Sequence, residues 1–100
     1  MTDAMTFMGN FIPKFKAKFP GVAEILVTKI AAGFAGNISH ESSFGVTRYG
    51  DGGNALGLCQ WNGSRFDRLV SNRSSDWDSE NGQIEFILHE LANKEKRTQR

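Results

Sequence analysis

Between Ile38 and Trp61 the chain reads ISHESSFGVTRYGDGGNALGLCQW, in which one glutamate, Glu41, follows an apolar helical run and precedes a glycine-rich stretch ending in Gln60-Trp61. A carboxyl group set among apolar side chains keeps its proton nearer to neutral pH, and such a proton can be given to the leaving oxygen of a glycosidic bond. Phe34, Phe44 and Trp61 are the residues that could supply this apolar setting. Asp51, inside the glycine-rich stretch, is the candidate for a second and more polar carboxylate facing the helix end. A solvated glutamate at a helix terminus has the same spacing, so the residues alone leave both readings open.

Other chemistries fit less well. Gly50 to Ala55 formally matches a dinucleotide-binding pattern, but no strand precedes it and no long helix opens within it, and no Lys-Ser or Lys-Thr pair follows for a phosphate-binding loop. Ser39, His40 and Glu41 are consecutive helical residues whose side chains point in different directions, which rules out a relay. His40, His89 and Cys59 lack the spacing of a structural zinc site, so no metal ligand is expected. Cys59 paired with a histidine could act as a thiol nucleophile of the kind cell-wall peptidases use, although its neighbours Leu58 and Gln60 suit a buried small hydrophobe.

Several elements must position these residues. Val22, Ile25, Leu26, Ile30, Gly33 and Phe34 recur at intervals of three and four, which predicts an amphipathic helix that starts after Pro20-Gly21 and continues towards Glu41. Glu41 then falls at the last turn, with Gly36 and Gly45 available for close packing and chain reversal. Tyr49 to Gly57 holds four glycines (50, 52, 53 and 57) and is read as a loop or short hairpin. Asn62 is a suitable N-cap for a helix carrying Phe66, Leu69 and Val70 on one face. Ser71 to Ser75 is a polar connection, and a last helix from about Ser79 carries Ile84, Ile87, Leu88 and Leu91, with Trp77 just ahead as a packing anchor. Before Pro20, Phe7, Phe11 and Phe15 recur every four residues, and Pro13 predicts that this segment divides into two short helical pieces.

One hundred residues make one domain with one modest core. Basic residues exceed acidic ones by one, 12 against 11, so net charge argues against a general nucleic-acid binder. Lys14, Lys16 and Lys18, and the basic run from Asn93 to Arg100, are read as solvated ends. The single cysteine excludes an internal disulfide. No apolar run is long enough for a membrane span, and the N-terminus lacks the basic-then-apolar order of a signal peptide.

GNISHESSF, followed by YGDGGNALGLCQWNGSRFDRL and GQIEFILHEL, resembles the phage tail-type lysozyme family, peptidoglycan-degrading domains of the lysozyme superfamily. The matching elements are Gly36-Asn37, Glu41-Ser42, Gly50 to Gly53, Gly57 to Trp61 with Arg65, and Gln83 to Leu91; together they cover about Val22 to Leu91. The resemblance implies that Glu41 is the catalytic glutamate and would protonate the oxygen between the alternating amino sugars. It implies that Gln60 hydrogen-bonds the glycan and that Asp51 orients water or stabilises the oxocarbenium-like transition state. Trp61 is implied either as a sugar-stacking platform or as core, and Tyr49 and Asn62 as further cleft contacts. Asn37, Arg65, Gln83 and Glu90 are implied to hold helix ends and loops together.

The expected architecture is mainly α, a small lysozyme-like helical domain with a Gly-rich loop or short hairpin, C-terminally abbreviated beside longer members of the family. Residues 1–20 would form a basic, aromatic segment packed on the domain, 21–92 the lysozyme-like domain, and 93–100 a polar basic tail. The resemblance implies glycan-strand cleavage as a hydrolase or lytic transglycosylase, without metal or organic cofactor. Peptidoglycan is the implied substrate and other phage tail or lysis proteins the implied partners, with no nucleic acid and no membrane span. The chain would be made in the host cytoplasm without a signal peptide, and act from the virion or after release to the host wall. A non-catalytic peptidoglycan-binding or structural tail module is the alternative.

Overall fold

The computed structural model describes residues 3–46, 49–50 and 55–98, with the backbone alone for 49–50 and 95–98. Helices α1 (Ala4–Lys18) and α2 (Glu24–Ser42) come first, followed by strands β1 (Tyr49–Gly50), β2 (Ala55–Leu56) and β3 (Trp61–Asn62), and then by helices α3 (Gly63–Asn72) and α4 (Glu80–Thr98). The protein is mainly helical, as expected, and its glycine-rich region contains a short antiparallel pairing. The strands lie in the order β1-β2-β3, with Tyr49 opposite Leu56 and Leu56 opposite Trp61.

Helix α1 is continuous through Pro13, which corrects the expectation of two pieces. The Asp3 side chain caps its start by accepting the Thr6 N–H at 2.9 Å. Phe7, Phe11 and Phe15 are buried on one face, with successive ring centroids 5.4 and 5.7 Å apart. An internal proline costs about 3 kcal/mol. Burying three phenylalanines contributes roughly 4.5–9 kcal/mol, so packing outweighs the local defect. Pro13 itself faces solvent.

Helix α2 runs antiparallel to α1. Phe11 meets Phe34, Phe7 meets Phe44 just beyond the α2 terminus, and Lys16 pairs with Glu24 at the α2 start. Its buried face is Val27, Ala31, Ala35, Ile38 and Ser42. The expected face is rotated from this one, because Ile25 and Leu26 are exposed by 66% and 50%. Ala31 and Ala35 share one core with the phenylalanines of α1, so tertiary packing selects their stripe over the more hydrophobic one.

The core joins both helices to Leu58, Trp61, Leu69 and the α4 residues Ile84, Phe86, Ile87 and Leu88. Helix α3 takes Asn62 as its N-cap residue in extended backbone, but the Asn62 side chain makes no capping bond. In the connection to α4, Arg73 grips Asp76 with two hydrogen bonds, and the Ser79 hydroxyl accepts the Gly82 N–H at 3.0 Å. Any Cβ at Gly82 would fall 1.9 Å from the Asp76 carbonyl oxygen, so this close approach requires glycine. The backbone from residue 93 to Thr98, expected as a tail, continues α4.

Candidate active site

Glu41 occupies the final turn of α2 and is exposed. The apolar enclosure expected from Phe34, Phe44 and Trp61 is therefore not built around it by the described residues. What is fixed is its backbone. The next residue, Ser42, is buried, and its hydroxyl lies 2.9 Å from the Leu58 carbonyl and 3.2 Å from the Ile38 carbonyl. This clamp ties the end of α2 to the turn 57–60 that leads into β3. The chain then reverses through Ser43 and Phe44, both in the left-handed region at φ 50° and 61°. The glycines expected to permit the reversal are not its pivots: Gly36 is exposed, with open space where a side chain would stand, and Gly45 is not among the residues with positive φ. Strain at two consecutive non-glycine residues is held by the Phe44 ring against Phe7, 6.0 Å between centroids, and by the Gly45 N–H bonded to the Ser42 carbonyl at 2.9 Å.

Gln83, fully buried on α4, joins the surrounding segments. Its oxygen accepts the Leu58 N–H at 2.9 Å, and its nitrogen donates to the carbonyls of Val46 and Trp77 at 2.7 and 2.9 Å. Gly57, at φ 89°, lies so close that a Cβ would stand 2.7 Å from the Gln83 oxygen. The family-implied structural role of Gln83 thus has a concrete form: it seats the 57–60 turn beside the segment that follows Glu41.

Gln60 ends this turn, half-buried and at φ 49°. Its side-chain amide and its backbone N–H both donate to the Gly57 carbonyl, at 2.8 and 3.1 Å. Trp61 is fully buried, its ring edge-on to Phe86 at 5.6 Å, and its indole N–H donates to Glu90 at 3.0 Å. A ring with no accessible face cannot stack on a sugar, so of the two readings of Trp61 its position matches the core one. Asn62 is exposed beside it. Tyr49 enters only through its strand backbone, and Asp51 lies outside the described residues.

Glu90 also receives both arms of Arg65, Nε at 3.1 Å and Nη2 at 2.9 Å. Burial pushes its carboxyl up, but the bonds from Arg65 and Trp61 outweigh that and hold it below the usual carboxylate range. Burial pushes the Cys59 thiol up to about 12; Arg65 pulls it down, while Glu90 and Glu41 add to the rise. Such a thiol keeps its proton at neutral pH, which argues against the peptidase reading.

Cys59, Phe34, Arg65 and Glu90 help line a cavity of about 740 Å³ between α3 and α4. Glu41 is not part of this lining, but it follows Phe34 by two turns of α2, and its neighbour Ser42 is bonded to the carbonyl of Leu58, which precedes Cys59. Two parts of this neighbourhood escape sequence reasoning. Ser42 matched the family motif without a role, and its helix-terminal position, four residues after the Ile38 carbonyl, was the available signal. Arg68 stands three residues after Arg65 and four before Asn72, a helical stripe that could have been read as a second polar wall. No described cluster of His, Cys, Asp or Glu could hold a metal ion, and no described helix is long and apolar enough to cross a membrane.

The domain is mainly helical, with a solvent-facing glutamate at a helix end and a short three-stranded sheet. The family model for phage tail lysozymes matches residues 26–100, and the chain belongs to that family. Its membership supports a lysozyme-like role in degrading peptidoglycan. Among the curated proteins and the solved structures, nothing matches the chain.

Proposed function

We propose that this protein cleaves the β-1,4 linkages between the amino sugars of peptidoglycan, with Glu41 as the general acid, in a virion-associated wall-penetration or lysis role. The observation that carries the reading is the seating of Glu41: its helix end is clamped through Ser42 to the Leu58 carbonyl, beside the turn bearing Gln60, in a chain of the phage tail lysozyme family. An open carboxylate has access to a polymeric substrate. A glycan laid across it would exclude water from the residue and bring the glycosidic oxygen within its reach. Gln60 would bond the sugar or its acetamido group, with Tyr49 and Asn62 as further contacts, and Asp51 would orient water or stabilise the developing positive charge.

The exposure of Glu41 also favours a second reading, a non-catalytic module that binds the wall. Mass spectrometry of fragments released from purified peptidoglycan separates the two. Glu41→Gln keeps the shape but loses the proton, so release is expected from the wild type alone, with reducing ends marking a hydrolase and anhydro ends a lytic transglycosylase. Undiminished release by Glu41→Gln would remove Glu41 from the chemistry. No release by the folded wild type, with binding intact, would favour the wall-binding module.

A further inference from the structure

The cavity between α3 and α4 has a chemical character that the glycan does not explain. Its lining includes Arg65, Arg68 and Lys94 against one carboxylate, Glu90, above an apolar floor that includes Phe34 and Phe86. Glu90 is already matched by the two-armed grip of Arg65 and by the Trp61 indole. Arg68 makes no ion pair among the described residues, and it stands on the same α3 stripe as Arg65 and Asn72. Lys94, on the facing helix, also lines the groove. Arg68 thus brings to this groove a guanidinium that no described carboxylate pairs.

We propose that this groove receives the acidic peptide stem of peptidoglycan, an inference that rests on the proposed action on that polymer. The uncleaved glycan backbone is a string of largely neutral sugars, whereas the stem attached to every second sugar carries free carboxylates and small alanine methyl groups. Arg68 offers a planar fork suited to a carboxylate, and the aromatic floor suits the methyl groups. The volume, about 740 Å³, is that of a site for a ligand of a few residues. Its location also fits, because Cys59 lines the groove and follows Leu58, whose carbonyl is bonded to Ser42, the neighbour of Glu41. A stem hanging from a sugar at the cleaved linkage would enter from that side, so the groove would set which sugar of the alternating pair lies over Glu41.

The test uses the full chain, labelled with ¹⁵N, and a synthetic stem tetrapeptide with free carboxylates, followed by NMR titration. Saturable shifts are expected at the side-chain amides of Asn72 and Asn93, both of which line the groove. Binding is expected to weaken by about tenfold or more when the peptide carboxylates are amidated or when Arg68 is replaced in Arg68→Ser, and to be recovered only in part in Arg68→Lys, which keeps the charge but not the fork. Equal binding of the amidated peptide, indifference to Arg68→Ser, or the absence of saturable shifts would overturn the proposal. Peptide binding is expected to survive in Glu41→Gln. A chain that binds the stem in this way but releases no glycan fragments would refute the cleavage reading and leave the groove standing. One that cleaves stem-free glycan as fast as intact peptidoglycan would refute the groove and leave cleavage standing.

Discussion

The carboxamide of Gln83 accepts the Leu58 N–H at 2.9 Å from a position with no exposed surface. The same side chain donates to Val46 and Trp77, so one residue of α4 ties together the segment after α2, the turn leading into β3 and the connection before α4 itself. Only a carboxamide presents an acceptor and a two-proton donor side by side in this way. The placement of the turn beside Glu41 therefore depends on a residue that does no chemistry.

Replacing that side chain in Gln83→Leu leaves one backbone donor and two carbonyls without partners, at about 1–3 kcal/mol for each buried group left unsatisfied. The expected loss is about 3 kcal/mol or more, seen as a fall of roughly 12 °C or more in the thermal midpoint of a domain this size. Gln83→Glu keeps the acceptor but turns the second oxygen towards two carbonyls. It is expected to be destabilised at neutral pH and to recover in part in acid, where a protonated carboxyl donates once. Thermal unfolding of both variants checks this, and a midpoint unchanged in Gln83→Leu would show that the junction holds nothing.

The Glu90 carboxyl has an acid-sensitive role. Its pKa is lower in the folded chain than in the unfolded one, because the bonds from Arg65 and Trp61 outweigh the opposing effect of burial. Stability gained from the lowered value is fully present above the ordinary glutamate value, about 4.3, and is lost as pH falls through the folded value. Glu90→Gln should therefore lose stability at neutral pH but show a shallower decline in acid than the wild type. Glu90→Ala, which strands the buried indole N–H, is expected to cost about 1–3 kcal/mol at pH 7. Denaturant unfolding at several pH values tests both, and parallel acid profiles for wild type and Glu90→Gln would contradict the assignment.

With its thiol at about 12, Cys59 should resist iodoacetamide in the folded protein at neutral pH and react readily once unfolded. Cys59→Ala is expected to leave wall cleavage intact and to lower stability by about 1 kcal/mol. Rapid alkylation of the native chain, with release of free peptide stems that stops on modification, would restore the thiol as a nucleophile.

Helices α2, α3 and α4 were legible because their apolar residues recur with helical period and because Pro20-Gly21, Asn62 and Ser79 mark their starts. Three features of the site neighbourhood were not. The buried stripe of α2 is chosen by packing into the core it shares with α1, and a hydrophobicity pattern favours the larger Ile25 and Leu26, which are exposed. The reversal after Glu41 uses Ser43 and Phe44 in a conformation that local sequence assigns to glycine, and it is sustained by the Phe44 contact with α1 and by the link between Gly45 and Ser42. The partners of Trp61 come from α4, with Glu90 standing 29 residues away. In each case a long-range contact decides what a local pattern leaves open.

Pro13 is the sharpest case of such an override. Proline in a helix interior is about 3 kcal/mol less favourable than alanine, because it removes one helical hydrogen bond and crowds the preceding turn. Its ring is exposed, so it contributes no core packing that would offset this, and the helix persists because Phe7, Phe11 and Phe15 are buried on the opposite side. Pro13→Ala should therefore stabilise the protein, by about 1–3 kcal/mol and some 4–8 °C in thermal midpoint for each kcal/mol. Calorimetry of the two chains decides the matter. A lower midpoint in Pro13→Ala would mean that the bend imposed by the proline is what brings the three rings into register, and that the ladder depends on the defect instead of overcoming it.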